Sequence, residues 1–164
     1  MPPSGAIRYT PRMADSESVI PDVVEAAAAL FDQGFTCGQA VLVPFAERRG
    51  IDREHALRLA CAFGGGIAGT GSTCGAVSGA LLAIGAAHGR TKVEDEPARA
   101  RTYDAARVFL DRFRSEHGSV VCRELLGVDI GTAEGREAAV KAGLFRSRCP
   151  LLVRGAARIV AALV

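Results

Sequence analysis

The chain has 164 residues, 49% of them apolar and 23% charged, with a formal charge of +2. That length suits one domain and lets roughly 70% of the unfolded surface be buried without crosslinks. The mild charge, the absence of Trp and the presence of only two Tyr argue against a nucleic-acid surface, which needs a clustered basic face or stacking aromatics.

Residues 1–20 carry prolines and no apolar stretch behind a basic start, so they read as an arm without a secretory signal. Residues 21–164 read as the single helical domain, with the cytoplasm as default compartment. Pro21 is expected in the first turn of a helix that closes at Gly34. Thr36 caps a second helix that ends at Gly50, with a kink expected at Pro44. Asp52 caps a third, REHALRLACAF, which the run Gly64–Gly66 stops. Ser72 or Thr73 caps CGAVSGALLAIGAAHG. Pro97 opens a long helix whose apolar stripe is expected at Tyr103, Ala106, Leu110 and Phe113. A short CRELLG turn follows. Thr132 then begins TAEGREAAVKAGLF, and Pro150 heads the last helix. No strand pair or hairpin signal appears. The fold class is therefore all-α, a helical bundle of about six to seven helices with short Gly/Pro loops.

From Leu59 to Ala87 no residue is charged, a stretch long enough to span a bilayer on length alone. Its GGGIAGTGSTCG half is too Gly-rich for a spanning helix. A buried central helix from Cys74 to Ala87, the most buried of the fold, is expected and a membrane span is not. Gly71, Gly75, Gly79 and Ala83 recur at every fourth position and form a bare face for close packing. With the apolar last helix, that face suggests a homodimer. The Gly loop lacks the Lys of a phosphate-binding loop and follows a helix, so it gives no nucleotide site. His55, His88 and His117 read as surface or helix-end residues.

Five cysteines remain: Cys37, Cys61, Cys74, Cys122 and Cys149. None forms a CxxC pair, and no CxxCH is present, so a covalent haem is not expected. Cys37, Cys74, Cys122 and Cys149 each fall at an expected helix start. Unpaired amides and the helix dipole favour an anion there and lower a thiol's pKa. Arg123, Arg146 and Arg148 lie nearby. Thiolates bind metals and iron–sulfur clusters and attack disulfides. Cys61 lies among Leu57, Leu59, Ala60 and Phe63 and reads as a small core residue apart from any site.

The pieces GFTCGQAVL, FGGG, CGAVSG, VCRELLG and LFRSRCP, spread over residues 31–163, resemble the C_GCAxxG_C_C family of redox-active proteins. The family's core is written Gly-Cys-Ala where this chain reads Cys74-Gly75-Ala76, and Gly38 stands where Ala is usual. The module is also similar to part of the split-Soret cytochromes. The resemblance implies that Cys37, Cys74, Cys122 and Cys149 are the family's four cysteines. It implies a redox or metal site built from them. An iron–sulfur cluster is the first candidate and a four-thiolate zinc ion the second. The role would be electron transfer or redox sensing with a redox partner protein. A metal-free thiol–disulfide oxidoreductase with Cys74 attacking, and a non-enzymatic module whose cysteines only pack, stay open.

Overall fold

A computed structural model describes residues 16–164, with side chains from residue 21 onward. Most of the expected N-terminal arm lies outside these residues, and residues 16–20 already belong to a helix. Among the described residues nine α-helices follow one another: α1 Ser16–Asp32, α2 Cys37–Glu47, α3 Arg53–Ala60, α4 Gly75–His88, α5 Glu96–His117, α6 Cys122–Leu126, α7 Ala133–Lys141, α8 Leu144–Ser147 and α9 Cys149–Ala161. The only extended pairing described is an isolated antiparallel bridge between Thr73 and Val121. The all-α class stands. Two short helices raise the count above the expected six to seven. CRELL closes as a helix of its own, and Gly143, at φ +65°, divides the expected 132–145 segment into α7 and α8.

Several starts follow from local chemistry. The Thr36 hydroxyl accepts the Gln39 amide while the Gln39 side chain accepts the Thr36 amide, a reciprocal cap. Asp52, Asp95 and Thr132 accept amides at the starts of α3, α5 and α7. Pro97 and Pro150 occupy first-turn positions where a missing N–H costs nothing. Pro21 does not: α1 begins at Ser16 and Pro21 lies inside it. α2 likewise runs through Pro44 to Glu47.

α2 sits at the centre, packed against α1, α3 and α4, while α9 closes the bundle against α1, α4 and α5. All nine residues 38–46 of α2 are buried, so α2, rather than α4, is the most completely enclosed helix. In α4, Leu81 and Leu82 remain half-buried. The small-residue face of α4 meets α2 directly. A Cβ on Gly79 would stand 2.5 Å from the Gly38 carbonyl oxygen. That face, from which a homodimer was expected, is thus taken up inside the chain. Among the described residues no helix is long and apolar enough to cross a membrane. The uncharged stretch 59–87 is broken by the end of α3, a 3-10 turn at Cys61–Phe63 and the Gly loop.

α5 buries Ala98, Ala105, Phe109 and Phe113. The expected stripe is rotated: Phe113 is common to both, whereas Tyr103 is exposed, with the Arg99 and Arg107 guanidiniums over its ring. The α5 ion pairs Asp104–Arg107 and Asp111–Arg114 are exposed and contribute little to stability.

His117 is not the surface residue its helix-end position suggests. Its ring lies 4.5 Å from that of Phe113, centroid to centroid. Its Nε2 is buried with no hydrogen-bond partner among the described residues and packs where a Cβ on Gly155 would collide with it. Burial holds its pKa below the usual imidazole value, against the pull of Glu116. The unfolded chain therefore binds a proton that the folded one resists. Stability is expected to fall as pH drops below about 6.5, the unperturbed imidazole value, and to be unaffected by this group above it. Thermal melts of wild type and His117→Gln between pH 5 and 8 check this. An unchanged acid slope in the variant would remove the assignment.

Candidate functional site

Four helix starts converge on one cavity of about 460 Å³, and Cys37, Cys74, Cys122 and Cys149 all line it. Cys37 is the first residue of α2 and Cys149 the first of α9. Cys74 is the N-cap of α4, and Cys122 opens α6. The last two are held side by side by main-chain pairing. The Cys74 amide donates to the Val120 carbonyl at 2.8 Å, and the Cys122 amide donates to the Ser72 carbonyl at 2.6 Å. The thiols of Cys37 and Cys149, 112 residues apart in sequence, lie near enough for each to shift the other's titration. Cys74, Cys122 and Cys149 are buried and Cys37 is half-buried. Phe31, Phe145, Leu126 and Leu152 supply apolar wall, and Arg136 is the one charged lining residue.

The Gly-rich loop forms the remaining wall. Five successive residues, Gly65, Gly66, Ile67, Ala68 and Gly69, have positive φ, a conformation that costs non-glycine residues energy. The surrounding structure holds it. Arg123 donates to the Thr70 and Gly71 carbonyls while pairing with Asp129 at 2.7 Å, and Arg136 donates to the Gly69 carbonyl. Gly66 has to be glycine for a second reason. A Cβ there would stand 2.6 Å from the Cβ of Cys122.

The thiol electrostatics correct the expectation of four depressed pKa values. Burial pushes the Cys74 thiol up to about 11, although the Ala76 and Val77 amides beside it pull the other way. Burial, with Cys74 and Cys149 nearby, pushes Cys122 up to about 12, and Arg123 opposes this only weakly. Cys37 donates to Cys149, and that bond with burial raises Cys37 well above the ordinary thiol value. Cys149 alone is lowered, because it accepts the Cys37 hydrogen bond. Desolvation wins over the helix ends because the apolar wall removes water that the amides replace only in part. Cys74 is thus a poor attacking thiol at neutral pH.

Cys61 is placed differently from its expected core position. It is exposed and lines the same cavity. The buried face of α3 is Ala56 and Ala60. Cys61 follows Ala60 directly and so points about 100° away from that face. Leu59, on the other side of Ala60, is likewise turned outward and is 66% exposed. Arg136 is a lining residue that the sequence reading did not single out. Its place depends on α7 folding back over the Gly loop.

The described residues thus form an all-helical fold that brings cysteines from four helix starts to one largely apolar cavity. The chain belongs to the C_GCAxxG_C_C family: the family model described as "Putative redox-active protein (C_GCAxxG_C_C)" matches residues 35–163. No curated protein and no solved structure matches it.

Proposed function

We propose that the cavity holds an iron–sulfur cluster ligated by Cys37, Cys74, Cys122 and Cys149, and that the protein carries electrons to and from a redox partner protein. The carrying observation is the convergence of four buried or half-buried thiols on one cavity. An all-cysteine donor set is what such clusters take.

Zinc fits less well. Tetrahedral zinc with bonds of about 2.3 Å needs its sulfurs roughly 3.8 Å apart. Among the described residues no three Cys, His, Asp or Glu side chains form a group able to hold one metal ion. A cluster binds its thiolates on separate irons and so suits a wider ring of sulfurs.

The cluster would supply one-electron chemistry. The chain's own residues do the rest. Burial keeps the free thiols of Cys37, Cys74 and Cys122 protonated, so ligation releases protons and loading strengthens as pH rises. The apolar wall keeps water from the sulfurs. Arg136 offers positive charge to a negatively charged group. Free thiols of this kind suit a reducing compartment, the cytoplasm.

Iron, sulfide and visible-absorption measurements test this on protein purified without oxygen and on protein reconstituted with ferrous iron and sulfide. Iron and sulfide in matching amounts with broad visible absorption are expected. A colourless, iron-free protein under both regimes would overturn the reading.

A further inference from the structure

We propose that α7, α8 and the first turn of α9 form the surface on which the redox partner docks, and that this partner is a small protein presenting an acidic patch around an apolar contact. The inference rests on the electron-carrier reading and adds to it where the partner sits and what recognises it.

This surface adjoins the cavity. Arg136 of α7, Phe145 of α8 and Cys149 of α9 all line it. The cavity also reaches solvent here, because two of its lining residues, Cys61 and Arg136, are exposed. Between Ala133 and Cys149 the chain carries four cations, Arg136, Lys141, Arg146 and Arg148, against two carboxylates, Glu134 and Glu137, and all are exposed. Lys141, Arg146 and Arg148 enter no ion pair among the described residues, and Arg136 donates to the Gly69 carbonyl rather than to a carboxylate. On and beside α5 the pattern is the opposite: Arg90, Arg99, Arg107 and Arg114 each hold a carboxylate of this chain. Cations without an internal partner leave a positive field that steers and orients an acidic protein.

The apolar part of the contact lies beside the same cavity. Leu59, Ile67 and Leu151 are exposed, and each stands within two residues of a lining residue. Val140, 65% exposed, lies between Arg136 and Lys141 on α7. Apolar contacts within a charged rim are the anatomy of a protein–protein interface. A nucleic-acid surface would need the cations without them.

The test uses the full chain, with and without iron, and a small acidic [2Fe–2S] ferredoxin as probe. Binding is read by titration calorimetry at low and at physiological salt. Saturable binding that weakens with salt is expected in both forms of the chain. Arg146→Glu combined with Arg148→Glu should weaken it about tenfold or more. Arg101→Glu combined with Arg112→Glu makes the same change of charge on exposed positions of α5 and should stay within about twofold of wild type. Leu151→Ser should weaken binding at both salt concentrations. No saturable binding, an equal loss in the two double variants, or tighter binding of a DNA duplex than of the ferredoxin overturns the proposal. A chain that binds the ferredoxin but never takes up iron loses the cluster reading and keeps this surface. An iron-loaded chain that does not bind loses this surface alone.

Discussion

Replacing Cys74 by Ser is expected to lower reconstituted iron and visible absorption at least tenfold, with the fold intact. Changes to residues that only orient metal ligands cost 10–100-fold in affinity, and losing a thiolate ligand should cost no less. A hydroxyl is a harder donor and a poor substitute for a soft thiolate. Cys74 is 2% exposed, so water cannot readily take the missing position. The substitution also separates ligation from folding. Cys74 is the N-cap of α4, and Ser is among the best N-caps, about 1 kcal/mol better than a side chain that does not cap. Cys74→Ser should therefore melt no lower than wild type while losing its iron. Cys61→Ser, an exposed change, should retain both iron and stability. Full iron in Cys74→Ser would remove Cys74 from the site, and with it the four-cysteine reading.

Those two cysteines also show what the sequence carries and what it leaves to the fold. Helix starts are local events. Thr36 with Gln39, Asp52 and Thr132 satisfy amides within three residues, so their roles are visible in the chain before any packing. Of the four cysteines only Cys37 heads a helix capped in this way; the starts at Cys74, Cys122 and Cys149 carry no side-chain cap, and the packing of α2, α4 and α9 with the Thr73–Val121 bridge gathers the four. Which face of a helix turns inward is decided elsewhere. On α5 the Phe113 register allows either Leu110 or Phe109 as the next inward residue, since both spacings, three and four, share a face. α4 and α9 against α5 select Phe109 and Ala105, and Tyr103 turns out to the arginines. His117 was misplaced for the same reason. Gly155, far along the chain, makes the space its ring fills. The thiol pKa values depend on how dry the cavity is, a property of the assembled walls. Helix-end position gives the direction of one contribution and not the balance.

Gly75→Ala is expected to destabilise the protein by about 2 kcal/mol and to impair cluster loading as well. A Cβ at Gly75 would collide with the Phe63 carbonyl oxygen and lie 3.2 Å from the Cβ of Cys37 and 3.3 Å from the Gly38 amide nitrogen. Two of those three neighbours are main chain and cannot rotate away. Overpacking of this kind costs about 1–3 kcal/mol or more, against up to about 1 kcal/mol gained by replacing Gly with Ala in a helix. For a chain of this size the net loss corresponds to a Tm lower by roughly 4–8 °C. The displaced atoms belong to Cys37 and to the residue before the Gly loop, so the ring of sulfurs opens along with the α2–α4 contact. Gly85→Ala is the internal comparison. It makes the same change on the same helix, but at a position with nothing within 4 Å of the new Cβ. There only the helix-propensity gain remains, and Tm should rise by a few degrees with iron loading unchanged. Equal melting temperatures for the two variants would show that the α2–α4 contact yields to a methyl group and that the glycine row does not set the position of Cys37.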